Sequence, residues 1–194
     1  MPNKLNPDTP IPLLHGLTIA DFWAWAYSDI ISNTDRAVFA EFIVAAALGL
    51  THTPRQPWLS FDLLYKNKKI EVKSSAYIQA WHQERPSQIR FSIRKARRWD
   101  PQTNILSDSP QRNADCFVFC LYGEKDPSNL NLLNMHAWSF YVISADRLTQ
   151  QLGDQKSLAL SNLRKISTSV SFTALKQRID AVLSSLEFLN PLPT

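Results

Sequence analysis

The chain has 194 residues, of which 44% are hydrophobic and 20% are charged, and its formal net charge is +4. This size and balance fit one domain with a hydrophobic core, and they exclude a disordered or fibrous protein. The longest apolar run, residues 42–50, is too short for a membrane span, and no signal-peptide pattern opens the chain, so we expect a soluble cytoplasmic protein.

The first part of the chain predicts an irregular arm followed by two helices. Residues 1–17 show no periodic pattern, and Thr18 with Asp21 resembles a capping box that begins the first helix. The second helix, from residue 33 or 34 to Gly49, is apolar on nearly every side except at Glu41. We therefore expect a buried helix that carries one carboxylate.

The middle of the chain has the pattern of a β-sheet. Two runs of β character, residues 58–65 and 70–75, flank a polar turn, and residues 89–93 alternate as in a half-exposed strand. Residues 115–122 are continuously apolar, as in a buried central strand, and another strand is expected at residues 138–144.

Two helices are predicted after the last strand, one at residues 145–152 and an amphipathic one from Phe172 to about Leu186. Together the elements predict an α/β fold with a central mixed sheet flanked by helices. We expect a single domain over residues 1–194, with a core at about 33–145 and a helical segment at about 145–190.

Positive charge is concentrated in residues 55–98, which contain 11 Lys or Arg and three acidic residues. Such an asymmetry suggests a polyanionic partner, because lysine and arginine neutralise phosphates and release counterions. Aromatic residues interleave with the cations, as in surfaces that stack on bases. The alternative is an ordinary solvated face beside buried aromatics. The candidate DNA-binding residues are Arg90, Arg94, Lys95, Arg97 and Arg98.

Three charged residues of the predicted hairpin, Asp62, Glu71 and Lys73, form the strongest local pattern. If the hairpin closes through a loop centred on residues 67 and 68, Asp62 faces Lys73 and lies diagonal to Glu71, with roughly 7–8 Å between their backbones. The two carboxylates can then share a cation. The opposite face is apolar and belongs to the core; it carries Phe61, Leu63, Tyr65, Ile70 and Val72.

This set of groups suits a magnesium site. Mg²⁺ prefers hard oxygen ligands, which the carboxylates of Asp62 and Glu71, the main-chain carbonyl of Val72 and water can supply. A lysine two residues beyond one ligand, here Lys73, can orient or deprotonate the attacking water and offset charge at a phosphate. The chemistry that these groups support is phosphodiester hydrolysis.

Over about residues 35–122 the order is a helix with a glutamate, a strand ending in Asp, Glu-Xaa-Lys on the paired strand, an alternating strand, a helix and a buried strand. This order resembles the PD-(D/E)XK nuclease superfamily. The resemblance implies a restriction-endonuclease-like core and a Mg²⁺-dependent endodeoxyribonuclease. It also implies that Asp62 and Glu71 bind the metal, that Lys73 is catalytic and that Glu41 assists. The chain departs from the pattern at Phe61, where the family has proline.

Several alternatives stay open at this stage. Glu-Xaa-Lys also occurs on solvated strands, and Glu41 could face solvent at the edge of its helix. The chain could be a nucleic-acid-binding module without cleavage, an interaction protein with an acidic partner, or a subunit recruited by a larger partner. Cutting both strands of a duplex would most simply use a homodimer.

Two further interpretations concern single side chains. Gln79, just after the Glu-Xaa-Lys strand, could contact a substrate, but we expect a surface amide. Trp23 and Trp25 cannot face the same way on a helix, so we expect one of them in the core.

Overall fold

A five-stranded mixed β-sheet forms the centre of the molecule in the computed structural model, which describes residues 3–57, 59–97, 99–100 and 103–189. The chain is therefore of the α/β class, as predicted. In the described residues the five α-helices are α1 (Ile19–Tyr27), α2 (Asn33–Leu48), α3 (Ala145–Leu152), α4 (Leu160–Ile166) and α5 (Phe172–Leu189). The strands are β1 (Leu63–Tyr65), β2 (Lys68–Ala76), β3 (Arg90–Ser92), β4 (Trp99–Asp100), β5 (Ile105–Leu106), β6 (Cys116–Tyr122), β7 (Trp138–Ser144), β8 (Ser157–Ala159) and β9 (Ser169–Val170).

The strands of the central sheet follow the order β1-β2-β6-β7-β9. β2 and β6 are parallel, and the other neighbours are antiparallel. All residues of β6 are buried, which agrees with the predicted central strand. Two short sheets lie outside this one, formed by β3 with β8 and by β4 with β5.

The central sheet is covered on both faces, as the side chains of β6 illustrate. Cys116, Val118 and Cys120 pack in a cluster with α2 and α5, whereas Phe117 and Phe119 pack in a second cluster with α3, α4, β3 and β8. Burying side chains of this kind contributes about 1.5–3 kcal/mol each for the larger ones. The two cysteines are free and buried, and burial raises the pKa of both thiols.

The N-terminal helix contributes little to the core. The predicted capping box of Thr18 and Asp21 is present, but α1 has no buried residue. Trp25 is 84% exposed and Trp23 is only half-buried, so the expectation that one of them is a core residue is wrong. None of the described helices is long and apolar enough to cross a membrane.

The strand at residues 89–93 alternates as predicted but does not join the central sheet. Ile89, Phe91 and Ile93 are buried and the residues between them are exposed. β3 pairs with β8 in a separate two-stranded sheet, and Phe91 packs in the cluster on one face of the central sheet. The ring of Phe91 contacts that of Phe119 edge to face at 5.1 Å between centroids.

Two other expectations differ from the structure. The resemblance implies a helix between the alternating strand and the buried strand, but the described residues between β3 and β6 contain only the hairpin of β4 and β5. The first predicted run of β character, residues 58–65, forms a strand only from Leu63 onward, and Trp58 lies outside the described residues. Residues 59–62 form bends instead.

The β1–β2 hairpin closes two residues away from the predicted register. Lys66 and Asn67 form the turn with φ values of 50° and 59°, so Leu63 faces Ile70 and Tyr65 faces Lys68. Extending this register places Asp62 beside Glu71, not opposite Lys73 as predicted. Because a shift of two residues preserves the alternation of a strand, Ile70 still points into the core.

Candidate functional site

The outer edge of β2 is uncovered beyond Ile70, because β1 pairs with it over three residues only. Asp62 closes part of this edge. Its N–H donates to the Ile70 carbonyl at 3.0 Å, and its carboxylate accepts a hydrogen bond from the Val72 N–H at 2.7 Å. The N–H and C=O of one strand residue point to the same side, so the Val72 carbonyl faces this edge too.

A cavity of about 440 Å³ opens at this edge of the sheet. α2 borders it on one side, and Arg90 and Ser92 of β3 border it on the other. Its charged lining residues are Arg36, Glu41, Asp62, Lys73 and Arg90. The cavity therefore brings together an acidic helix residue, the aspartate at the strand edge and the lysine of the Glu-Xaa-Lys motif.

Glu71 and Lys73 lie on one face of β2, and the Lys73 ammonium contacts the Glu71 carboxylate. Both side chains are half-buried. Glu71 does not line the cavity, but its charge acts on the neighbouring Asp62. The predicted proximity of Asp62, Glu71 and Lys73 is therefore present, with Asp62 at the strand edge between the two faces of the sheet.

Glu41 is buried, with 7% of its surface exposed, so the alternative of a solvent-facing carboxylate is wrong. Its carboxylate forms a bidentate ion pair with Arg55, in which Nη2 donates to Oε1 at 2.8 Å and Nε donates to Oε2. This pair raises the pKa of Arg55. The only sequence signal for Arg55 is that a buried carboxylate needs a cation close by.

The carboxyl group of Asp62 has a strongly raised pKa. Burial, followed by repulsion from the charges of Glu71 and Glu41, raises its pKa to about 7, although the Val72 N–H and the Lys73 ammonium act in the opposite direction. Titratable groups with such shifts in a cleft are typical of functional sites. Burial and the two neighbouring glutamates therefore both disfavour the charged form of Asp62.

The donor set at this edge fits a hard divalent cation. The carboxylates of Asp62 and Glu71 and the Val72 carbonyl could hold Mg²⁺ with water completing its shell, and the repulsion that raises the pKa of Asp62 is what a cation would offset. Within the described part of the chain, no group of three or more His, Cys, Asp or Glu side chains is arranged to hold a metal. The site thus offers two side-chain ligands.

Most of the predicted DNA-binding cations lie outside the cavity. Only Arg90 lines it, while Arg94 and Arg97 are exposed elsewhere on the same segment. Lys95 forms an ion pair of 2.5 Å with Asp154. Arg98 lies outside the described residues. Arg90 is thus the one of the four described candidates with direct access to the site.

Two polar residues of the cavity are not predicted by the sequence pattern. Gln79 is half-buried, so the expectation of a surface amide is wrong, and its Oε1 accepts a hydrogen bond from Arg36 at 3.3 Å. Arg36 is 4% exposed. No sequence signal distinguishes it from an arginine on a solvated helix face, because its burial depends on how α2 packs beside the loop after β2.

Comparisons with known proteins identify no relatives. No family model matches the chain, and no curated protein and no solved structure matches it.

The pKa of Asp62 predicts a pH-dependent stability. The carboxyl group has a pKa of about 7 in the folded protein and about 4 in the unfolded chain, so it binds its proton more tightly when folded. Its contribution to the free energy of unfolding therefore falls as pH rises from about 4 to about 7. Asp62→Asn keeps an oxygen for the Val72 N–H and should be more stable than wild type by about 1–3 kcal/mol at about pH 8, with little difference at about pH 4.

Chemical denaturation in EDTA at both pH values measures this difference. Asp29→Asn, at an exposed loop position, is the matched control and should change neither value. If Asp62→Asn were less stable than wild type at the higher pH, that result would contradict the raised pKa of Asp62.

The Glu41–Arg55 pair makes a second prediction. Arg55→Met leaves the Glu41 carboxylate buried without its cation and should lower the free energy of unfolding by about 1–3 kcal/mol. The double variant Glu41→Leu with Arg55→Met should recover most of this loss, because no buried charge remains.

Lys95→Met is the control: it breaks an ion pair with the 87% exposed Asp154 and should lower the free energy of unfolding by at most about 1 kcal/mol. Urea denaturation of the three proteins tests the order; equal losses for the two single variants would show that Glu41 is not isolated from water.

Proposed function

We propose that the protein is a Mg²⁺-dependent deoxyribonuclease that hydrolyses phosphodiester bonds, with an active site of the PD-(D/E)XK type. The observation that supports this proposal best is the convergence of Asp62, Lys73 and Glu41 on one cavity, with Glu71 beside them. Metal-dependent phosphodiester hydrolysis requires groups of this kind: two carboxylates, a main-chain carbonyl that points to the metal site, and a lysine at the edge of a strand.

Each group has a role that follows from its position. Asp62, Glu71 and the Val72 carbonyl would hold Mg²⁺, which when bound would polarise the scissile phosphate and lower the pKa of the attacking water. Lys73, on the same face as Glu71, would release its contact with that carboxylate, orient the water and offset the negative charge that develops on the phosphate. Glu41, fixed by Arg55, would keep the surroundings of Asp62 negative and favour a cation.

The proposal depends on few elements of the fold. α2, the loop that joins it to β1, and β2 supply all the residues named above. The position of β3 outside the central sheet, and the hairpin of β4 and β5 in place of a helix, therefore leave the site itself intact. A restriction-endonuclease-like core and a homodimer that cuts both strands are parts of the same proposal.

A nucleic-acid-binding module without cleavage is the second candidate. The observation that favours it is that each glutamate of the site already has a cation partner, Arg55 for Glu41 and Lys73 for Glu71. Such a module would bind DNA through Arg90 and its neighbours with an affinity that falls with salt, and it would need no metal.

Replacing Lys73 separates these two functions. Lys73→Ala removes the group that orients water and offsets charge, so the cleavage rate should fall by at least about 100-fold. Binding of DNA should change little, because one cation among many is lost. Conversion of supercoiled plasmid in Mg²⁺, alongside EDTA and Glu71→Ala, measures cleavage, and fluorescence anisotropy measures binding.

Lys165→Ala, an exposed lysine of α4, is the matched control and should cleave like wild type. Cleavage by Lys73→Ala at the wild-type rate would contradict the proposed mechanism. Metal-independent binding without cleavage by any variant would favour the second candidate.

The predicted DNA contacts can be ranked by their position. Arg90 lines the cavity, whereas Lys95 is paired with Asp154. Arg90→Ala should reduce the salt dependence of DNA binding by about one unit of the log–log slope, the value expected for one lost phosphate contact, and Lys95→Ala should reduce it less. Anisotropy titrations of duplex DNA in EDTA over a range of NaCl concentrations measure the slopes. An unchanged slope for Arg90→Ala would exclude a phosphate contact at this residue.

A further inference from the structure

Arg36 is a buried cation without a counter-charge. Its side chain is 4% exposed, and no described carboxylate lies within 4.0 Å of its guanidinium nitrogens. The partners of the guanidinium are neutral: Nη1 donates to the Ile31 carbonyl at 3.0 Å, and Nη2 donates to the amide oxygens of Asn33 and Gln79. Its Nε–H is buried and has no partner.

Arg36 links α2 to the loop after β2 through its hydrogen bond to Gln79, but such a link does not require a positive charge. Burying a guanidinium among neutral groups is unfavourable, and an unpaired buried N–H adds about 1–3 kcal/mol to that cost. Burial accordingly lowers the pKa of Arg36, with no neighbouring charge acting in the opposite direction. An anion bound beside Arg36 in the cavity would supply the missing negative charge.

Arg36 stands in the same cavity as the proposed catalytic groups. Asn33, Arg36 and Gln79 line it together with Asp62 and Lys73. Along α2, Arg36 precedes Glu41 by five residues, which separates them by about 7.5 Å of helix axis.

The start of α2 adds to the positive character of this end of the cavity. Arg36 lies in the first turns of the helix, where the backbone N–H groups and the helix dipole favour an anion. The acidic side chain of the same turn, Asp35, does not line the cavity and is hydrogen-bonded to the Ser32 hydroxyl at 3.2 Å. The cavity is therefore acidic near Asp62 and Glu41 and basic near Arg36.

We infer that Arg36, oriented by Asn33 and Gln79, forms an anion subsite that binds a phosphate group of the nucleic-acid strand next to the scissile phosphate. The identity of the ligand as a nucleic-acid strand rests on the proposed function, whereas the anion subsite itself rests on the burial and hydrogen bonds of Arg36. The phosphate can be internal to the strand or at its 5′ end, and its chemistry is the same in both cases.

Binding without metal tests the subsite independently of cleavage. The probes are two single-stranded oligodeoxynucleotides labelled at the 3′ end, one with a 5′ phosphate and one with a 5′ hydroxyl, titrated in EDTA and followed by anisotropy. Arg36→Met should bind about 10- to 100-fold more weakly than wild type, the loss expected for a charge-assisted hydrogen bond, and Arg36→Lys should lie between them. A loss confined to the 5′-phosphorylated probe identifies a terminal phosphate, and a loss for both identifies an internal one.

Arg112→Met is the matched control. Arg112 also has a buried Nε–H without a partner and donates to the carbonyl of Gly153, but it lies outside the cavity of Asp62, so its replacement should leave binding unchanged. Equal affinities of wild type and Arg36→Met would overturn the subsite, even if the protein cleaves plasmid. Loss of binding in Arg36→Met would support it, even if no protein cleaves.

A measurement on the wild-type protein covers the case in which Arg36→Met does not fold. The Nε–H resonance of Arg36, assigned by its absence from the spectrum of Arg36→Lys, should shift on titration with inorganic phosphate at constant ionic strength. The Nε–H resonance of Arg112 serves as the internal reference. A resonance of Arg36 that stays unchanged up to saturating phosphate would overturn the subsite.

Discussion

The shortness of β1 is the constraint on which the rest of the site depends. β1 covers β2 only as far as Ile70, and beyond it the Asp62 carboxylate takes the place of a neighbouring strand by accepting the Val72 N–H. A side chain can satisfy a backbone donor in this way without covering the edge. If β1 began two residues earlier, it would pair with Val72 in the ladder and close the cavity in which Lys73 and Glu41 meet.

Buried charge around this edge is balanced in a different way at each residue. Glu41 has a bidentate cation in Arg55, Glu71 contacts Lys73, and the Asp62 carboxylate is hydrogen-bonded to a backbone donor. Burial, followed by the charges of Glu71 and Glu41, raises the pKa of Asp62 to about 7. Arg36 has only neutral acceptors. Since an unpaired buried charge is costly, Asp62 and Arg36 are the two places where a ligand of opposite charge would gain most. Both line one cavity, which makes it suited to a cation and a phosphate together.

Local patterns predicted most of the fold, and the exceptions depend on distant contacts. The apolar run of β6, the bounds of β7 and α3, and the cap of α1 follow from residues close in sequence. The hairpin register does not, because Tyr65 and Lys66 both hydrogen-bond to Asp180 of α5, which favours a turn at Lys66 and Asn67. Likewise the alternation at residues 89–93 predicts a strand, but only the tertiary structure supplies β8 as its partner.

The candidate site likewise contains residues that local patterns predict and residues whose positions depend on distant contacts. Glu71 and Lys73 could be predicted to share a face because the alternation of a strand survives a register shift of two residues, whereas Asp62 lies at the edge of β2 and the residue predicted opposite it was wrong. Arg55 and Arg36 could not be predicted, since the pairing of Arg55 with Glu41 results from a loop folding beside α2, and the burial of Arg36 results from α2 packing beside the loop after β2. The backbone geometry of one hairpin thus positions Glu71 and Lys73 locally, whereas Glu41, Arg55 and Arg36 reach the site only when the sheet and α2 come together.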